Sequence, residues 1–395
     1  MFDRLKNLLR PPEAKTSRTA ALIALETGGR ARWTPRDYAA LAREGFMCNA
    51  IVYRAVRLVA ENAAACAFLL YEGAAERDRH PLLDLLARPN PRQDGAALFE
   101  ALYAYLLLAG NAYVEAVALE GARGLEVREL YALRPDRMRV VPGPDGWAEA
   151  YEYTAAGRSV RFEQNAPPIP PILHLTAFNP LDDHYGLSAL EAAAVAVDTH
   201  NAAARWNKAL LDNAARPSGA LVYSGPEGSV LSEAQFERLK HELEQTYQGA
   251  VNAGRPLLLE GGLDWKAMSL SPKDMDFMAA KHAAAREIAL AFGVPPMLLG
   301  IPGDNTYANY QEANRVFWRS TVLPLASRTA CALAQWLAPV FGSELKLAVD
   351  TDRIDALAGD RAALWQRVTK APFLTLNEQR GAVGYGPIAG GDRLA

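Results

Sequence analysis

The stretch Phe292–Glu312, FGVPPMLLGIPGDNTYANYQE, parts two helical runs. Upstream lies KDMDFMAAKHAAAREIALAFG (273–293) and downstream NYQEANRVFWRSTVLPLASRTACALAQWLAPVF (309–341). A plain helical hairpin closes with roughly two to eight residues. Here positions 294–308 make a far longer connection, rich in Pro and Gly, with the polar tip DNTY at 304–307. Long connections in compact domains carry function or stay disordered. The loop is therefore the first candidate site.

The helix ahead of the loop has Ser271 as N-cap, Pro272 at its first position and Asp274 near its positive end. The helix behind it is predicted to start at Asn309 and Glu312 in a capping pattern, and Pro324 is predicted to kink it. Further upstream, ALVYSG reads as a strand, Ser232 and Gln235 cap a charged helix, and RPLLLEGGLDWKAMSL reads as a hairpin with a Gly-Gly turn. Before that comes a long helix opened by Ser188 and Glu191, with eleven alanines between 189 and 215. Such small side chains let helices approach closely.

The amino-terminal half is mixed. NAIVYRAVRLVAENAAA (49–65) and residues 95–109 have helical periodicity, the latter ended by Gly110. HPLLDLLARPNP is a short helix stopped by Pro89 and Pro91. CAFLLYEG reads as a strand. AYVEAVAL, LEVRELYAL, RMRVVPG, AYEYTA, RSVRFE and ILHLTA are short, alternating and separated by turn residues, the pattern of antiparallel strands. At the carboxyl end LKLAVDTD is a strand, LWQRVTK a helix, and Thr375 with Glu378 caps another before an irregular tail, GYGPIAGGDRLA. The fold class is α+β, with 395 residues enough for several domains.

Composition excludes some functions. The net charge of −3 argues against a tight grip on nucleic acid, whose affinity comes from neutralised phosphates. The first sixty residues are locally basic, with eleven Lys/Arg against five Asp/Glu. Phe2, Leu5, Leu8 and Leu9 share one helical face, with no secretory-type apolar core. The longest apolar runs are shorter than the ~20 residues a bilayer span needs. Cys48, Cys66 and Cys331 are scattered and odd in number, which points to a reducing compartment and away from a disulfide or zinc framework.

Catalytic constellations are scarce. The chain has no GxxxxGK[ST], no GxSxG, no HExxH, and no GxGxxG after a strand. Asp182, Asp183 and His184 are metal-capable types on one loop, but read first as a polar turn. Asp198 and His200 cannot share a helix face, whereas His241 and Glu244 can, on a heavily charged helix. Phe317 and Trp318 read as core or interface anchors rather than base-stacking platforms, which pair with basic grooves.

The chain resembles the portal proteins of long-tailed bacteriophages, in particular the shorter siphophage type and the portals of alphaproteobacterial gene transfer agents. The matching stretches run in the family's order: NAIVYRAVRLVAENAA, HPLLDLLARPNP, LLLAGNAYVEAV, LYALRPDRM, ILHL then YGLSALEAA, DNAARPSGAL, FGVPPMLLG, NTYANYQEANRVFW and LTLNEQRGAVGYGPIAGGD. FGVPPMLLG followed by YANYQEA is the most specific pair.

The resemblance implies a ring of twelve subunits at one capsid vertex, through which double-stranded DNA is packaged and ejected. It implies an N-terminal arm at 1–30, a wing at 31–186 and stem helices at 187–213 and 272–293. A clip at 214–271 separates the stem helices. A tunnel loop at 294–308 follows, then a long wing helix and strand at 309–350 and a crown at 351–395. Terminase, a head-tail adaptor and the major capsid protein are the implied partners, with no catalysis, cofactor, metal or membrane. The loop residues Asp304, Asn305, Thr306, Tyr307 and Asn309 are the implied DNA-channel residues. Neutral hydrogen bonding there, with Asp304 unfavourable near phosphate, suits a channel that lets DNA slide. Two other classes remain: a hydrolase using the Asp182–His184 stretch, and a monomeric partner-binding scaffold, which has no need of so alanine-rich a helix.

Overall fold

Asn49 starts the helical body. Its Oδ1 accepts from the N–H groups of Ile51 and Val52, and helix α2 (Ala50–Ala64) follows, burying Val52, Ala55, Val56, Val59 and Ala63 on one face. The computed structural model describes residues 33–73, 75–121, 124–212, 219–223, 263–267, 277–303, 307–342 and 344–394, with isolated positions between 232 and 241. Ahead of α2, a short α1 (Tyr38–Leu41) runs into a π turn at Ala42–Met47. After it come β1 (Phe68–Glu72), β2 (Ala75–Glu76), α3 (Pro81–Ala87) and α4 (Gly95–Ala109). Gly110 closes α4 with φ +70°, as its position in the sequence requires.

The six predicted strands all form, and all pair antiparallel. They are β3 (Asn111–Gly121), β4 (Gly124–Leu133), β5 (Met138–Pro142), β6 (Ala148–Ala155), β7 (Arg158–Glu163) and β8 (Ile172–Thr176). They build two sheets, β4-β3-β8 and β5-β6-β7. The RPNP motif now has a structural reason. The Leu130 N–H donates to the Pro89 carbonyl at 2.7 Å and Asn90 Nδ2 to the Leu130 carbonyl at 2.8 Å. The motif thus covers the edge of β4 beside its bulge.

The long helix expected from Ser188 consists of α5 (Ala189–Ala192) and α6 (Ala194–Asp212), with one irregular residue, Ala193, between them. Ser188 caps it, accepting from the Glu191 N–H. Strands β9 (Gly219–Tyr223) and β10 (Leu263–Ala267) pair with each other. The other arm of the expected Gly-Gly hairpin lies outside the described residues, as do the arm at 1–30 and Ser271. Ser232 and Gln235 form their reciprocal cap. Then come α7 (Phe277–Ala291), α8 (Tyr307–Phe317), α9 (Leu323–Phe341), β11 (Leu345–Val349), α10 (Ala358–Thr369) and α11 (Leu376–Ala382).

One expectation is corrected here: helix α8 begins at Tyr307, so Asn309 sits in its first turn rather than capping it. Pro324 does fall at an irregularity: a π turn at Trp318–Val322 directly precedes it, and the backbone stays right-handed helical through that turn into α9.

One apolar core runs from Leu41 to Leu347 and joins α2, α4, α7, α9, β1 and β11, with β1 and β11 paired across the chain. A smaller core of Tyr113, Leu133, Met138, Val140, Tyr151 and Ile172 lies between the two sheets.

Candidate functional site at the loop between the long helices

The base of the loop is built by two successive helix stops. At the end of α7, the Gly293 N–H donates to the Leu290 carbonyl (3.0 Å) and the Val294 N–H to the Ala289 carbonyl (2.9 Å), with Gly293 at φ +64°. This is a Schellman cap, with buried Val294 as its apolar contact and Pro295 as the stop. A single 3₁₀ turn, Pro296–Leu299, follows. Gly300 at φ +71° ends it, and the Ile301 N–H returns to the Pro296 carbonyl at 3.1 Å. Ile301 then buries itself against Ala285 and Ala289 of α7.

Two side chains staple this base. Thr321, in the π turn, donates to the Gly293 carbonyl at 2.6 Å. Arg286 of α7 donates to the Pro302 carbonyl, and its guanidinium lies close over Gly303. Residues 293–303 are thus fixed to the flanking helices. Asp304, Asn305 and Thr306, three of the five predicted channel residues, lie outside the described residues. Tyr307 is the first residue of α8 and Asn309 is exposed in its first turn. Beyond them Tyr310 is half exposed, and Arg315 pairs with Glu312 at 2.5 Å and with Asp360 of α10 at 2.9 Å.

Helix α7, which leads into this loop, packs on α6. Their alanines make that approach possible: Ala194, Ala196 and Ala203 of α6, and Ala284, Ala285 and Ala289 of α7, are all buried. Much of the alanine seen in the sequence is therefore spent inside the chain, although Ala202 is exposed. Asp198 and His200 do part company. Buried Asp198 accepts from the N–H and hydroxyl of Thr34, while His200 meets Asn49. Asn49 Oδ1 is already engaged by its helix, so its amide nitrogen faces His200 Nδ1 (3.1 Å) and Asn201 Oδ1 (2.9 Å). His200 Nδ1 must accept, so its proton sits on Nε2. Burial, then Lys281 and His282, push the imidazole below its ordinary value.

Of the remaining candidates, Glu244, the expected partner of His241, lies outside the described residues, and the others resolve into structure. Asp182 Oδ1 accepts from the His184 and Tyr185 N–H groups, a turn-forming role, and that pulls its carboxyl below the usual range. Phe317 is fully buried in the core and Trp318 packs against it. Among the described residues no three His, Cys, Asp or Glu side chains converge on a metal position. Among them, too, no helix is long and apolar enough to cross a membrane.

The model of the phage portal protein family matches residues 50–384. The chain belongs to that family. Among its relatives, the portal protein of Enterobacteria phage HK97 is 27% identical over 361 residues, covering 86% of this chain and 80% of that one. Two solved structures are nearer. A chain in the neck of an empty gene transfer agent (GTA) particle, computed with C6 symmetry, is 54% identical with TM-score 0.70, covering 91% of this chain and 96% of its own. A chain in the neck of a native GTA particle, computed with C12 symmetry, is 54% identical with TM-score 0.69, covering 91% and 97%. As a portal-family chain with an α+β portal fold, it has its place at the portal vertex of a virion or gene-transfer-agent particle.

Proposed function

We propose that twelve copies of this chain form a ring at one capsid vertex, with a central channel that passes double-stranded DNA during packaging and ejection. The observation that carries this reading is the 54% identity, over 91% of the chain, to a subunit of a neck with twelve-fold symmetry. A twelve-fold ring also satisfies the six-fold operator of the empty particle. The role is structural: the chain supplies a channel and docking surfaces, and no reaction is assigned to it. The terminase large subunit docks at the clip, the head-tail adaptor attaches at the same outer end, and the major capsid protein surrounds the wing.

In this reading the wing is 31–186, α5–α6 and α7 are the stem, and the crown is 351–395. The tunnel loop is 294–308, and its stapled base supports that assignment. A base fixed by Thr321 and Arg286 leaves a short polar tip, Asp304–Thr306, to reach the DNA, with Tyr307 and Asn309 behind it. Such a tip meets the backbone without the cluster of Lys/Arg that would hold phosphate.

The test is assembly. Mass photometry and negative-stain electron microscopy of the purified chain, alone and co-expressed with its capsid protein, should give twelve-subunit particles with a hole at least ~20 Å wide, the scale of a duplex whose major groove admits a helix. A chain that stays monomeric under both conditions rejects the ring.

A further inference from the structure

Away from the loop, the surface carries an apolar tongue and an apolar groove. The tongue is 177–187, between β8 and α5. The Ala177 N–H donates to the Gly110 carbonyl (2.7 Å) and the Gly186 N–H to Asn111 Oδ1 (2.9 Å), fixing its two ends. Inside it, Asn179 accepts from the Leu181 N–H (3.0 Å) and donates to the Tyr185 carbonyl (2.8 Å), and Asp182 holds His184 and Tyr185. On this rigid frame Phe178 is 82% exposed and Leu181 94%. Large apolar side chains held out on a hydrogen-bonded backbone are partly preorganised anchors, since the backbone entropy is already lost and only side-chain freedom remains to be lost on docking.

The groove is open, about 460 Å³ in volume, and lies between the end of α4 and the starts of α5 and α9. Leu106, Leu107, Ala177, Leu187, Pro324 and Leu325 line it, so the two ends of the tongue form one of its walls. Arg328 stands at its edge and donates to the Thr176 carbonyl at 2.7 Å, one use of five guanidinium donors.

We propose that the tongue of one copy seats in the groove of the next, with Phe178 and Leu181 entering as anchors and Asp183 meeting Arg328 at the rim. This rests on the ring reading above. Three observations select a second copy as the occupant. The wedge and the groove belong to the same chain, so one head-to-tail contact satisfies both in every copy, and such a contact closes into a ring when its rotation allows. The tongue does not fill its own groove, because its frame leaves both anchors in solvent. The charges also match: Asp182 is engaged by its turn, which leaves exposed Asp183 for the arginine.

The experiment uses the full chain with Cys48→Ser and Cys331→Ser, carrying Leu181→Cys and Leu107→Cys, treated with a short bis-maleimide. Mass photometry of the same sample reads ring formation independently. A ladder of dimers and higher multimers on a denaturing gel supports the interface. Rings that give only monomer, cross-linked internally or not at all, overturn it and leave the ring standing. If the unsubstituted chain forms no rings either alone or with its capsid protein, the ring reading falls and takes the interface with it. The charge pair gives a second arm that spares the apolar packing. Asp183→Arg and Arg328→Asp should each lower ring yield at fixed protein concentration by at least ~10-fold, and the double exchange should restore it. Single variants that assemble like the parent overturn the rim contact.

Discussion

Thr321 Oγ1 donates to the Gly293 carbonyl at 2.6 Å, tying the π turn that precedes α9 to the glycine that ends α7. Twenty-eight positions separate the two residues, and the loop lies between them. A Cβ at Gly293 would stand 2.7 Å from that hydroxyl, on a backbone at φ +64°. Gly293→Ala therefore carries two costs: roughly 1–2 kcal/mol for a left-handed alanine and roughly 1 kcal/mol for the displaced hydrogen bond. Gly300 is a control, with φ +71° and nothing within 4 Å of the added methyl. Urea unfolding should show Gly293→Ala the more destabilised by about 1 kcal/mol. Equal losses would remove Thr321 from the account.

His174 makes the protein acid-sensitive. Its Nε2 lies 3.0 Å from Asn111 Oδ1, which also accepts from the Gly186 N–H, so Nε2 carries the proton and Nδ1 faces the Tyr151 hydroxyl at 3.3 Å. The ring stacks on Tyr113 at 4.2 Å. Burial, with a smaller push from His184, lowers the imidazole from 6.5 to about 4. The folded value is the depressed one, so the contribution is complete above pH 6.5. It is lost as pH falls towards 4, where the unfolded chain takes up a proton that the folded chain refuses. The loss is up to about 3 kcal/mol. His200, also lowered by burial, adds in the same direction. Stability measured from pH 7 to pH 4 should fall steeply in the parent and less steeply in His174→Gln. Parallel curves would assign the acid sensitivity elsewhere.

Local signals were legible in the sequence and distant ones were not. Gly110, the strand alternation and the Thr375–Glu378 cap each act within a few residues, and each forms as read. The FGVPP stretch announced a helix end because a glycine and a proline at those spacings can do little else. The two π turns left no mark, since a shift to i→i+5 bonding barely disturbs the apolar period. Helix α8 starting two residues early is the ordinary ambiguity of a helix end. The bonds from Asn49 to His200 and from Thr34 to Asp198 join positions more than 150 apart, and nothing local encodes them. The tip residues Asp304, Asn305 and Thr306 were singled out by the length and polarity of the loop, their DNA role came from the resemblance, and they lie outside the described residues.

The carboxyl-terminal tail, expected to be irregular, is organised by one side chain. Asn377 Nδ2 donates to the Ile388 carbonyl (3.0 Å) and Asp392 (2.8 Å), its Oδ1 accepts from the Ile388 N–H (2.8 Å), and its own N–H donates to the Gly391 carbonyl (2.8 Å). Gly391 has no room for a Cβ against it. Asn377→Ala removes three of these bonds, each worth about 1 kcal/mol. Hydrogen exchange across 384–394 should accelerate by at least tenfold while exchange in α2 and α4 stays unchanged. Unaltered protection in the tail would mean that Arg380, which donates to the Gly386 carbonyl and lies over Tyr385, suffices alone.

If the loop tip is the DNA contact, replacing Asp304 by Arg converts a repelling group into one that binds phosphate, and each phosphate neutralised releases counterions. Asp304→Arg rings should assemble as the parent does, bind a short duplex more tightly at low salt, and lose that affinity more steeply as salt rises. Fluorescence anisotropy of a labelled duplex, titrated at several salt concentrations, reads the slope directly. The same particles should retain DNA more strongly during ejection, because a channel that holds phosphate resists sliding. Asn305→Ala and Thr306→Ala remove neutral donors and leave the charge alone, so they should shift affinity without changing the slope. If Asp304→Arg leaves the salt slope unchanged in assembled rings, the tip does not face the DNA and the channel is lined by other residues.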